Sequence, residues 1–228
     1  MPRKWETPLY YINLPKKKIV VNVTRSVPSF PGPTLGVADV AAELRKEGMK
    51  RVLDFGAGKL RNTLFLLRKN QGFKVWAVEY KDCFQTPSGQ QAWNNANGYK
   101  DFFFLEYPDK FLDAQNLQVD AVFLINVANI VPDAADRRKI VNECTQRLRS
   151  GGWFLWMSQY GESYYKPGVA KRLQARDGGW FYNLDKIHQT YYRSFSIDEI
   201  KKFFSPSLYR EPRKINAPHH RAYLFQKK

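Results

Sequence analysis

Cysteine and histidine are scarce in this chain, and a long apolar run is missing. Only two cysteines, Cys83 and Cys144, occur in 228 residues, too few and too unpatterned for a disulfide framework or a zinc cluster. His219 and His220 have no acidic or cysteine partner at metal-ligand spacing, so no metal site is expected. No stretch approaches the roughly 20 consecutive apolar residues of a membrane span, so no membrane partner is expected. The N-terminal 18 residues are basic and interrupted by Pro2, Pro8 and Pro15, which argues against a secretory signal. No internal period is visible, which excludes a solenoid. Together these absences lead to an expectation of a reducing, cytoplasmic setting.

Acidic residues are the scarce charge: 21 Asp and Glu stand against 37 Lys and Arg, and 37 − 21 = +16. A field of that sign draws polyanions, so RNA or DNA is an expected partner, with a solvated basic surface as the alternative. With 43% hydrophobic and 15% aromatic residues, the chain has enough apolar material for a sizeable core. Its length suits one α/β domain with decoration.

Residues 1–34 read as a decorating arm containing a β-branched strand at 19–23, followed by a connector stiffened by Pro28, Pro31 and Pro33. The main domain, 35–228, opens with a helix over 36–46, where Val37, Val40, Ala41 and Leu44 have helical spacing. Strands are expected at 51–55, 73–78, 102–105, 121–125 and 153–157. Helices are expected at 60–70, at 87–97 and from an Asp133 cap through Leu148, the last closed by Gly151-Gly152. The aromatic and basic segment 159–194 interrupts this alternation as an insertion. Ser196-Ile197-Asp198-Glu199 is a capping box opening a helix to about Phe204. Residues 207–215 and 221–227 form a terminal antiparallel hairpin. The sum is α/β: a doubly wound, mostly parallel seven-stranded sheet with a C-terminal antiparallel hairpin and helices on both faces.

The strongest local signal is Val52-Leu53-Asp54-Phe55-Gly56-Ala57-Gly58-Lys59-Leu60-Arg61. An apolar strand runs into paired glycines and then a helix, so the backbone can approach a ligand closely. The dinucleotide fingerprint would place a third glycine where Arg61 stands, and a P-loop would follow Lys59 with Ser or Thr rather than Leu60. Asp54, just before the glycines, repels a pyrophosphate and suits a ligand carrying an ammonium and a sulfonium. The next strand ends at Glu79, and 79 − 54 = 25 residues is near the ~20 that separate a glycine turn from a ribose-binding acid.

These residues resemble the class I, Rossmann-like, S-adenosylmethionine (SAM)-dependent methyltransferase superfamily over roughly 36–158 and the terminal hairpin. Asp54-x-Gly56-x-Gly58 looks like its first motif and Glu79 like its ribose-binding acid. Leu60 replaces the usual third small residue and is expected to narrow the space beside the methionine moiety. The resemblance implies SAM as cofactor, with Tyr80 beside the ribose acid and Glu106 and Tyr107 flanking the adenine. By position at the carboxyl edge of the sheet, Asn126 faces the cofactor. Residues 126–132 do not form the D/N-P-P-Y/F motif of many base-amine methyltransferases.

Methyl transfer from a sulfonium demands alignment above all, with a base needed only for a protonated acceptor. Candidate catalytic residues are His188, Tyr160 and Asn126, with Tyr164, Tyr165, Tyr191 and Tyr192 as further pocket tyrosines. Lys166, Lys171, Arg172 and Arg176 interleave with these aromatics, as in single-strand or flipped-base recognition. Methyl transfer to an O or N nucleophile of a nucleic acid, or of something bound to it, is the expected activity. A small-molecule acceptor under the aromatic insertion is the second reading, and a non-catalytic SAM- or nucleic-acid-binding module the third.

Overall fold

The structure, a computed structural model, describes residues 9–14, 17–26, 32–68, 71–159, 172–175, 177–182 and 189–228. In chain order, the hairpin β1 (Leu9–Leu14) and β2 (Lys17–Asn22) precedes α1 (Val37–Lys46), β3 (Arg51–Phe55), α2 (Arg61–Leu67) and β4 (Lys74–Glu79). Then come α3 (Pro87–Asn97), β5 (Phe102–Glu106), α4 (Asp109–Asp113), β6 (Val119–Ile125), α5 (Ala134–Arg147) and β7 (Leu148–Gln159). The short strands β8 (Arg172–Gln174), β9 (Trp180–Tyr182) and β10 (Thr190–Tyr192) follow, then α6 (Ile197–Lys201), β11 (Arg213–Ile215) and β12 (His220–Gln226).

The central sheet has seven strands in the order β11-β12-β7-β6-β3-β4-β5. From β5 to β7 the pairs are parallel, whereas β12 runs antiparallel to both β7 and β11. The chain builds outward from β3 to β5, then returns to the other side of β3 to lay down β6 and β7. Strand order therefore reverses between β3 and β6, and ligands of open α/β sheets bind at the carboxyl ends beside such a reversal.

Alternation along the strands feeds two cores. Ala121, Phe123 and Ile125 of β6 join Val37, Val40, Ala41 and Leu44 of α1 and Leu66 of α2 on one face. Val122 and Leu124 join Phe111 of α4, Ile140, Val141 and Cys144 of α5, and Ile200 of α6 on the other. A strand covered on both faces needs this near-continuous apolar run. The starts of α5 and α6 are fixed by side-chain caps: Asp133 accepts from the backbone N–H groups of Ala135 and Asp136 at 2.8 and 3.1 Å. Ser196 and Glu199 close the expected capping box.

Several expectations change. The arm is a complete hairpin rather than a single strand at 19–23. Its docking explains this: Gln189 donates its N–H to the Val20 carbonyl at 2.8 Å and accepts from Val20 N–H through Oε1 at 2.8 Å. The segment 159–194 contains a three-stranded antiparallel sheet, β10-β9-β8. α2 begins at Arg61 and ends at Leu67, short of the expected 60–70, and α6 ends at Lys201 rather than Phe204. β11 is confined to Arg213–Ile215. Gly151-Gly152 do not close a helix, because β7 begins at Leu148 directly after α5. They sit in a bulge in which Val119 pairs with Leu148 but Ala121 pairs with Trp153.

At Gly152 a Cβ would lie 2.6 Å from Leu148 Cδ1 and 2.8 Å from the Asp120 carbonyl oxygen. Gly152→Ala is expected to destabilise the fold by about 1–3 kcal/mol through overpacking. A lowered urea midpoint at unchanged slope checks this, and an unchanged midpoint would show that the bulge yields freely.

Candidate functional site

At the strand-order reversal the carboxyl ends of β3, β4 and β6 open into one crevice. It is lined by Gly56, Gly58, Glu79, Tyr80, Tyr107 and Asn126 among others. Its open space, mouth included, is about 910 Å³.

The glycine turn is held by β4. Gly56 and Ala57 donate their N–H groups to the Val78 carbonyl at 2.9 and 3.1 Å, and Gly58 donates to Glu79 Oε2 at 2.7 Å. Gly56 has φ +69°, and a Cβ there would stand 2.2 Å from Val127 Cγ2, so only glycine fits the turn against the loop after β6. Glu79 Oε1 accepts the Tyr80 N–H at 2.8 Å. With the Cys83 thiol as a third donor, three of the four lone-pair sites are occupied, which leaves capacity for one hydroxyl donor. Glu79 is buried, and that desolvation raises its carboxyl above the usual range. The Tyr80 and Gly58 N–H groups and the Cys83 thiol oppose the rise, and the charge of Asp54 adds to it.

Asp54 lies at the end of β3 as expected, but its carboxylate turns from the crevice and accepts the Thr63 hydroxyl at 2.6 Å. It is 1% exposed. Burial pushes its carboxyl up to about 6, against the Thr63 hydrogen bond and the charge of Arg61. Neither Asp54 nor Glu79 forms an ion pair among the described residues. Among these residues neither buried carboxylate has a cation in direct contact; Arg61 offsets Asp54 through space.

One end of the crevice is aromatic and apolar. Tyr80 and Tyr107 meet edge to face at 5.2 Å between ring centroids, and Val127, Ile130, Val131 and Ile140 complete the wall. Tyr10, from β1, joins them and hydrogen-bonds Asp136 of α5. Glu106 is half-buried and does not line the crevice, in contrast to Tyr107. The other end is polar: Lys59, Arg61, Asn62 and Asn126 line it around the glycine turn.

Leu60 does not narrow this space. Its side chain is fully buried with Ala57, Ala77, Phe84, Ala92 and Ala96 beneath α3. Its backbone takes the left-handed φ of +59°, so the turn keeps a glycine-like path while the side chain packs elsewhere.

Asn126 also has a left-handed backbone, φ +58°, which Asn tolerates better than most residues. Its Oδ1 accepts the Gln159 N–H at 3.1 Å, and its Nδ2 faces His220 Nε2 at 3.3 Å. His220 Nδ1 lies 3.0 Å from the Pro218 carbonyl oxygen, so Nδ1 carries the proton and Nε2 accepts from Asn126. Sequence reasoning singled out His188 as the base; His188 and Tyr160 lie outside the described residues, as do Tyr164 and Tyr165. Tyr191 is not a crevice residue: its hydroxyl donates to Asp177 Oδ2 at 2.6 Å, and Asp177 also pairs with Arg137 at 2.6 Å. Tyr192 donates to the Gln159 carbonyl at 2.5 Å. Tyr10, Lys59, Arg61 and His220 went unassigned from sequence, because only the folded chain brings the arm, the turn and β12 to this edge.

Because the folded carboxyl of Asp54, at about 6, lies above its ordinary 3.8, the folded state holds this proton more tightly than the unfolded one. Its contribution to stability is fully present below the ordinary value and is lost as pH rises through about 6. Asn at this position still accepts the Thr63 hydroxyl. Asp54→Asn is therefore expected to be more stable than the parent by about 2–3 kcal/mol at pH 8, with the gap closing towards pH 4. Urea titrations across that range check this; a less stable variant at pH 8 would show that the carboxylate is compensated.

No protein-family model matches the sequence, and no curated protein matches it. Solved structures do. The 1,6-didemethyltoxoflavin-N1-methyltransferase of Burkholderia thailandensis, with 1,6-didemethyltoxoflavin and S-adenosylhomocysteine bound, is 17% identical with a TM-score of 0.57, over 85% of this chain and 78% of that one. A SAM-dependent methyltransferase from Clostridium acetobutylicum is 14% identical with a TM-score of 0.57, over 84% and 90% of the two chains. The SAM-bound amino pentose methyltransferase of Micromonospora echinaspora is 16% identical with a TM-score of 0.56, over 84% and 90%. At this identity the likeness is one of architecture, and the chain has the class I, Rossmann-like fold of these SAM-dependent methyltransferases.

Proposed function

We propose that the protein is a SAM-dependent methyltransferase that transfers a methyl group to an O or N nucleophile of a small molecule. The observation that carries this reading is the crevice at the strand-order reversal, where a glycine turn meets two buried carboxylates that lack ion partners. Such a site welcomes a cationic nucleoside and disfavours a phosphorylated one.

Bound there, SAM supplies a methyl group already activated on a sulfonium. Glu79 would offer its remaining lone pair to a ribose hydroxyl, and Tyr80 and Tyr107 would flank the base. Gly56 and Gly58 let the backbone approach the amino-acid tail. Asp54 acts from behind Thr63 through its charge. Asn126, fixed by Gln159 and His220, stands where acceptor and cofactor meet.

A small acceptor fits better than a nucleic acid. The similar structures are named for 1,6-didemethyltoxoflavin and an amino pentose. The arm residue Tyr10 closes the crevice with an apolar wall, as enclosure of a small ligand requires.

Calorimetric titration with SAM tests the reading. The parent is expected to bind, and Glu79→Ala to bind more weakly by about 1–3 kcal/mol, the worth of hydrogen bonds to a charged group. Equal affinity in parent and variant, or no binding by the parent, would contradict it. Radiolabelled methyl from SAM should enter pooled low-molecular-weight acceptors; incorporation confined to RNA or DNA would overturn the acceptor class.

A further inference from the structure

The polar end of the crevice contains a guanidinium that neither the motif nor the fold requires. Arg61 opens α2 immediately after the glycine turn and lines the crevice. Of its five N–H donors, one Nη2 donor goes to the Thr34 hydroxyl at 2.7 Å. Arg61 forms no ion pair among the described residues. Thr34 is itself fixed, since its N–H donates to Asn62 Oδ1 at 2.8 Å, so the guanidinium is held against a rigid support. Lys59, the neighbouring cation on this wall, places its Nζ 2.9 Å from Ser88 Oγ.

The order of groups along the crevice sets what Arg61 meets. The tyrosines mark the nucleobase end and Glu79 the ribose, so the amino-acid tail of the cofactor extends past Gly56 and Gly58 towards Asn62 and Asn126. That tail ends in a carboxylate and an ammonium. A planar guanidinium with unspent, parallel donors matches a carboxylate in a two-point grip that a lysine cannot reproduce. Asp54 balances the guanidinium through space and does not occupy its donors. Burial lowers the Arg61 pKa, and Asp54 opposes that fall; a partly desolvated cation gains more from an incoming anion than an exposed one.

We propose that Arg61 grips the carboxylate of the cofactor's amino-acid tail, and that this grip makes the crevice selective for nucleosides bearing that carboxylate. The proposal rests on the SAM-binding reading above and assigns a specificity residue within it.

Calorimetry with two defined probes tests it without any acceptor. S-adenosylhomocysteine carries the amino-acid tail, and 5′-methylthioadenosine has the same nucleoside without it. The parent is expected to bind the first about 10- to 100-fold more tightly, the range for hydrogen bonds to a charged group. In Arg61→Met that ratio should collapse to within about threefold, with methylthioadenosine affinity unchanged, because only the carboxylate contact is lost. A ratio kept in Arg61→Met, or a parent that binds both probes equally, overturns the role of Arg61. A parent that binds neither probe overturns the cofactor reading instead. Should Arg61→Met not fold by circular dichroism, Arg61→Lys decides: a fall in the ratio of threefold or more supports the two-point grip, and an unchanged ratio removes it.

Discussion

One hydrogen bond organises this site: the carboxylate of Glu79 accepting the N–H of Gly58. It joins the end of β4 to the turn after β3, so the group suited to hold a ribose also shapes the backbone on which the rest of the cofactor would lie. The Val78 carbonyl reinforces it by accepting from Gly56 and Ala57. The register of two neighbouring parallel strands thereby becomes the geometry of a binding turn. The same arrangement buries negative charge. Asp54 and Glu79 repel one another and are both desolvated, a cost that an enclosed cation would offset.

Strain and closure gather at the same edge. The described non-glycine residues with left-handed backbones are Leu60, Asn126 and His219. Leu60 lies in the glycine turn, Asn126 ends β6, and His219 precedes the residue whose imidazole faces Asn126. Local strain of about 1–3 kcal/mol each persists only where surrounding structure enforces it. Here the enforcing contacts are the cluster under α3, the Gln159 N–H and the short turn from Ala217 to His220. Above this edge the N-terminal hairpin lies against Gln189 and contributes Tyr10, so a segment distant in sequence completes the aromatic end of the crevice.

Much of this was legible in the sequence where a local rule and the fold agree. The apolar run of β6, the Asp133 cap and the Ser196–Glu199 capping box each state their role within a few residues. The hairpin at β1 and β2 was only half legible, because its second strand is β-branched while its first reads Leu-Tyr-Tyr-Ile-Asn-Leu without alternation. Gly151-Gly152 look like a helix stop yet serve a bulge, since a strand starts directly after α5. Leu60 appeared to crowd the cofactor because sequence gives a residue's size and not the direction set by a left-handed backbone. Arg61 registered only as a missing glycine. Tyr10 reaches the crevice, and His220 reaches Asn126, through pairings that no local pattern encodes.

The central claim is that buried negative charge beside the glycine turn selects a cationic nucleoside. Proton linkage measures this directly. With its carboxyl at about 6, Asp54 is about half protonated at pH 6, and a bound cation lowers that value. SAM titrated calorimetrically at pH 6, in buffers of different ionisation enthalpy, should release protons from the parent and fewer from Asp54→Asn. Binding with no net release, or with proton uptake, would contradict the account.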